Sequence, residues 1–132
     1  MSNLPQKNIL QKISPDYSSL IGIPYDQLDC WGIVREFYRI VFNIDLKPYY
    51  ETIPKTREMA KTIIYDSMAD FYEVNDRMFG DIFLIKMFGV ESHIAVYLGN
   101  GTMLHTSKHS GCIVERVHRW EKLIVGTYRA RK

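Results

Sequence analysis

Apolar side chains stand at positions 30, 33, 34, 37, 38 and 41, and from Asp81 onward that spacing gives way to another. The first set runs i, i+3, i+4, i+7, i+8, i+11, which is one face of an α-helix. Asp29 precedes it where an N-cap belongs, and the helix is expected to stop near Asn43, before Asp45 and Pro48. The later residues come as short apolar runs at 81–86, 93–98, 102–107, 112–117 and 123–129, parted by turn signals such as Gly99-Asn100-Gly101 and Ser110-Gly111. Helices first and a strand meander afterwards predict an α+β fold, with N-terminal helices packed on a five-stranded antiparallel sheet. A second helix fits about 56–72, where Ala60, Ile63, Ile64, Met68 and Phe71 share a face. Residues 1–22, polar and carrying Pro5 and Pro15, read as a lead-in to a core of about 23–128. The 132 residues are expected to form a single domain.

Charge narrows the function classes. Seventeen Lys and Arg face fifteen Asp and Glu, a net +2, which gives no basic excess for nucleic-acid binding. The terminal Arg129-Ala130-Arg131-Lys132 reads as a solvated tail. No apolar run approaches the roughly 18 residues of a membrane span. The opening MSNLPQKNILQKISPD has no apolar core of a secretory signal, so the chain is expected to be made in the cytoplasm without one. Two cysteines, Cys30 and Cys112, do not make a disulfide framework.

Cys30 is the sharpest chemical feature. A thiol becomes a strong nucleophile only as the thiolate. The first turn of a helix favours that anion through its unpaired N–H groups and the positive end of the dipole. Asp29 works against it, so a cationic partner such as histidine is needed. The competing reading makes Cys30 a small buried hydrophobe on the helix's apolar face. His93, at the start of a strand, is a candidate base, and His105 on the next strand is a candidate to accept a hydrogen bond from it and fix its tautomer. Both also read as ordinary buried strand histidines. His109 and His118 are expected at the surface, and Cys112 is expected to be a structural or edge thiol. A Cys30–Cys112 disulfide would consume the nucleophile. A zinc site of Cys30, Cys112, His93 and His105 lacks the paired ligand spacing such sites use, so no metal is expected.

Asp29-Cys30-Trp31-Gly32 at a helix start, then Ser92-His93-Ile94-Ala95-Val96-Tyr97-Leu98-Gly99-Asn100-Gly101, then Leu104-His105-Thr106, resembles the NlpC-type family of papain-like cysteine peptidases. The likeness runs from about Ile23 to Tyr128, and the Asp-Cys-Trp-Gly form looks most like versions in phage tail proteins. It implies a papain-like fold with Cys30 as nucleophile, His93 as general base and His105 as the residue that orients it. It also implies that Asp29, Ser92 and Tyr25 contact substrate: Asp29 and Ser92 at the free amine end of a stem peptide, Tyr25 near the oxyanion. The family's usual glycine pair before Asp-Cys is missing here, which leaves Tyr17 as the other candidate for that tyrosine. The implied reaction is hydrolysis of peptidoglycan stem peptides at the γ-D-glutamyl–diamino acid bond, without metal or cofactor. The implied setting is a phage tail, the periplasm or the cell wall, with phage tail proteins as partners. A structural plug of a tail tip, or an acyltransferase or amidase using the same Cys-His pair, are the rival readings.

One geometric expectation tests the His93–His105 pairing. Residues opposite each other in an antiparallel pair share a face, and residues along a strand alternate. A plain two-residue Asn100-Gly101 loop would put His105 opposite Val96, on the wrong face for His93. A three-residue loop, or an equivalent bulge, puts His105 opposite Ala95, diagonal to His93.

Overall fold

The computed structural model describes residues 16–47, 64–66 and 70–131. Its first regular element is a single 3₁₀ turn at Tyr17–Leu20, followed by helix α1, Cys30–Phe37. The Asp29 carboxylate accepts a hydrogen bond from the Gly32 N–H at 2.9 Å, so the cap read from the sequence forms. A Cβ at Gly32 would lie 3.0 Å from Leu28 Cδ2 and 3.3 Å from that carboxylate, so glycine leaves room for the cap. The helix widens into a π turn, Tyr38–Phe42, and ends at Asn43 in the left-handed conformation, φ 57°. Trp31, Ile33, Val34, Phe37 and Tyr38 are buried. Phe37 touches the rings of Tyr17, Tyr38, Phe42 and Phe79. Truncating Phe37 to Ala is expected to cost about 3–5 kcal/mol.

Six strands follow: β1 Phe71–Glu73, β2 Ile82–Met87, β3 Val90–Gly99, β4 Thr102–Ser107, β5 Gly111–Arg116 and β6 Ile124–Ala130. They form one antiparallel sheet in the order β1-β6-β2-β3-β4-β5. The expected count of five is corrected by β1. Its Phe71 and Tyr72 fall where the sequence suggests the end of a second helix. Pairing with β6, Phe71 opposite Ala130, overrides a helical periodicity that continues to that point. Residues 64–66 are helical, and most of the proposed 56–72 helix lies outside the described residues.

Alternation gives the sheet two apolar faces. Ile82, Leu84, Ile94, Val96, Leu104 and Cys112 pack with α1, while Phe83, Ile85, Ala95, Met103 and Val117 form a smaller cluster on the other side. Two short 3₁₀ turns, Val117–Arg119 and Glu121–Leu123, bring Trp120 and Ile124 against that second cluster. The expected surface tail is corrected at Arg129. Its guanidinium grips the buried Asp81 carboxylate with two hydrogen bonds, 2.9 and 2.8 Å. Among the described residues, no helix is long and apolar enough to cross a membrane.

Candidate active site

Cys30 occupies the first helical position, directly after the Asp29 cap, and is half-buried. What it faces follows from the pairing of β3. Tyr97 directs both its backbone groups toward β2, donating to Asp81 C=O at 2.7 Å and accepting from Gly80 N–H at 2.8 Å. Alternate residues of an antiparallel strand point the other way, so Val96 and Ile94 face β4. The β3–β4 ladder reaches inward only as far as Val96 opposite Leu104, while β4 continues to pair with β5. Ile94 N–H therefore faces the parting between the two strands, and α1 packs on both of them. There the Ile94 N–H acts on the Cys30 sulfur, together with the N–H groups of Trp31 and Cys30 itself.

The sequence predicts a thiol lowered by the helix start and a His93 imidazolium; the folded site does the reverse. Burial, and then the Asp29 charge, push the Cys30 thiol up to about 12, against the pull of those three N–H groups. Tyr25 stands in the same field, raised to about 12 by burial and by Cys30 and Asp29. It lines a groove of about 560 Å³ with Pro24, Asp26, Lys108, His109 and Ser110. Tyr17 packs instead against Phe37, seven residues along the helix from Cys30.

The histidines sit on the far face of the sheet from α1's apolar cluster, aligned with Ala95 and Met103. His93 Nε2 lies 3.0 Å from His105 Nδ1, and both rings are buried. The register explains the meeting. The turn closes with Gly99 opposite Thr102, as in a two-residue loop. An extra residue at Leu98 then shifts the pairing, so that Tyr97 opposes Met103 and Val96 opposes Leu104. This is the equivalent bulge the geometry required, and continuing the register sets His105 opposite Ala95. A second bulge falls at Ser92, between Ile85 opposite His93 and Lys86 opposite Glu91. Ser92 thus lies beside His93, in an irregular stretch of β3. Burial, then His105, lower His93 to about 3, so the ring rests neutral.

Two neighbours were not read from the sequence. Glu115 Oε1 lies 2.6 Å from His105 Nε2, and the Trp120 ring packs within 5.2 Å of His105 and 6.0 Å of His93. Glu115 had a signal: Ser107 opposes Gly111, so Ile113 opposes His105 and Glu115 sits one step diagonal on the same face. Trp120 lies between two short 3₁₀ turns, outside any periodic element, and had none. His109 and His118 are exposed, as expected. Cys112 is fully buried against the helix side and is a structural thiol. Its backbone also exchanges hydrogen bonds with Gly22 and Ile23. A Cβ at Gly111, φ +67°, would meet Ile23 O at 2.9 Å, so glycine admits that close approach. Both cysteines are free thiols. Among the described residues, no three or more His, Cys, Asp and Glu side chains are grouped to hold a metal ion.

Comparison with known proteins gives a consistent answer. The model of the NlpC/P60 family matches residues 17–129. Murein DD-endopeptidase MepS/murein LD-carboxypeptidase of Escherichia coli strain K12 is 24% identical over 125 residues, covering 87% of this chain. The chain spans 60% of the length of that relative. The NlpC/p60 domain of peptidoglycan hydrolase SagA superposes with a TM-score of 0.54 at 20% identity, covering 88% of this chain and 92% of that one. The peptidoglycan hydrolase RipB of Mycobacterium tuberculosis gives a TM-score of 0.58 at 21% identity, covering 96% of this chain and 68% of that one. At these identities the structural likeness shows the fold, which is the papain-like α+β arrangement.

Proposed function

The chain belongs to the NlpC/P60 family, and from that premise we propose that it is a cysteine peptidase that hydrolyses the stem peptides of peptidoglycan. The observation that carries this is the buried His93–His105 hydrogen bond, on the strand whose Ile94 N–H meets the Cys30 sulfur. An inert scaffold has no need of two buried imidazoles in contact, one of them next in sequence to the residue whose N–H meets a thiol at a helix start. In this reading the pair rests as neutral thiol and neutral imidazole. Substrate binding displaces water, and His93 takes the Cys30 proton as sulfur attacks the amide carbonyl. The oxyanion is held at the start of α1, with the Cys30 N–H as donor and Tyr25 alongside. His93 then passes its proton to the leaving amine, and water, deprotonated by His93, releases the acyl group. His105 holds His93 in place.

Asp29, Ser92 and Tyr25 are the proposed substrate contacts. Asp29 and Ser92 would receive the free amine of the stem peptide, with the γ-D-glutamyl–diamino acid bond as the bond cut. The Asp-Cys-Trp-Gly form adds the narrower proposal that the enzyme works from a phage tail. Purified peptidoglycan incubated with the wild-type chain and with Cys30→Ser, followed by mass spectrometry of the soluble products, tests the reading. Cleaved stem peptides released only by the wild type support it. No release by either protein, from several peptidoglycan chemotypes, overturns it.

A further inference from the structure

We propose that Glu115 is a positioning residue that sets the proton placement on both histidines, so that the base presented by His93 is its Nδ1. The inference deepens the peptidase reading and rests on it for its kinetic part. A carboxylate can only accept, so the 2.6 Å contact makes His105 Nε2 the donor. In a neutral ring the other nitrogen then carries no proton, which makes His105 Nδ1 an acceptor. That nitrogen is 3.0 Å from His93 Nε2, so His93 must donate from Nε2. The His93 proton is thereby assigned to Nε2, and its free lone pair falls on Nδ1. Without Glu115 the direction of the His93–His105 bond is undetermined, because either ring could donate to the other.

The setting fits such a role. His105 is 3% exposed, so the competing partner, water, is largely excluded from it. The other carboxylate oxygen lies 3.6 Å from Arg119 Nη1, which holds Glu115 from the solvent side. Trp120 packs edge-on against His105 and tilted over His93, limiting ring rotation. When His93 accepts a proton from Cys30, positive charge appears on the pair, and the Glu115 carboxylate is the negative group in line with it. The charged or titratable groups around this line are His118 and Arg119 on the 3₁₀ turn, which share a groove with Glu115 and Trp120, His93 on β3 and His105 on β4.

Two measurements on the full chain test this. The first is nitrogen-15 NMR of the histidine rings, which reports tautomers without any turnover. Wild type is expected to show Nε2–H on both His93 and His105, Glu115→Gln to keep that pattern through its side-chain oxygen, and Glu115→Ala to lose it at His105. The second is kinetics on a stem-peptide substrate. Glu115→Ala is expected to lower kcat by about ten- to a hundredfold, the scale on which carboxylates that orient metal-bound histidines act, with KM little changed. Glu115→Gln is expected to recover most of that loss. Unchanged tautomers in Glu115→Ala, or equal kcat losses in Ala and Gln variants, overturn the proposal. A wild type with no hydrolysis overturns the peptidase reading, and the NMR pattern still decides the role of Glu115. If Glu115→Ala does not fold, an Nδ1–H His105 in wild type or Glu115→Gln is the overturning result.

Discussion

The two halves of the site are built differently. The proposed nucleophile half is contiguous in the chain: Tyr25, Asp29, Cys30 and Gly32 lie within eight positions, and one helix cap joins Asp29 to Gly32. The proposed base half gathers His93, His105, Glu115 and Trp120 from three strands and the junction of two 3₁₀ turns, and depends on strand register. A locally built half keeps its geometry while neighbouring elements shift. A register-built half fails as a unit, since a one-residue slip moves a side chain to the opposite face. Electrostatics divide along the same line. On the helix side burial and Asp29 hold protons on; on the sheet side burial and a second histidine keep protons off.

The largest expected effect comes from the local half. Cys30→Ala should reduce turnover by about a millionfold, as removal of a catalytic nucleophile does. Stability should change by less than about 1 kcal/mol, because the cap bond runs from Asp29 to Gly32 and does not use the thiol. Rate measurements on stem peptide with urea unfolding of both proteins check this. Turnover surviving in a folded Cys30→Ala protein would move the nucleophile elsewhere.

His93→Gln should cost about a hundred- to ten-thousandfold, the range for a general base. It should also change the acid response. His93 stays neutral down to about 3 when folded, whereas a free histidine takes up a proton near 6.5. Between those values the unfolded chain binds a proton that the folded chain does not, so stability falls as pH drops from about 6.5 toward 3. Removing the ring removes that contribution. Urea midpoints at pH 7 and pH 4 should therefore differ less for His93→Gln than for wild type. Parallel losses in the two proteins would mean that His93 is not held neutral by burial.

The local half was legible in the sequence because capping and helical periodicity are short-range. Asp29, Cys30 and the stop at Asn43 all formed as read. The His93–His105 meeting was legible only because one turn fixes the parity of two strands. Even there the sequence left open whether a longer loop or a bulge would do it, and the answer is a bulge at Leu98. Glu115 needed a second hairpin register added to the first. β1 was hidden, since Phe71 continues a helical pattern and becomes a strand only by meeting Ala130, 59 residues away. The direction of the Cys30 shift was misjudged for a related reason: the helix start is visible locally, whereas the burial that outweighs it is assembled by β3 and the Tyr25 segment.

The smallest expected effect isolates the charge that separates the halves. Asp29→Asn keeps the cap, since asparagine caps as well as aspartate and its side-chain oxygen can accept the same Gly32 N–H. It removes the negative charge that disfavours the thiolate. Alkylation of Cys30 by iodoacetamide at a fixed pH near 8 should then rise about three- to tenfold, the scale of losing one adjacent like charge. Cys112 supplies the internal control. Burial alone raises it, to about 11, so its alkylation should stay as slow as before. Burial around Cys30 is unchanged by the substitution, so the rate in both proteins should keep climbing with pH instead of levelling off below pH 7. An acid plateau in wild type would mean that a thiolate–imidazolium pair already exists at rest. If Cys112 speeds up along with Cys30, the substitution has loosened the packing at the start of α1, and the field of Asp29 is not the cause.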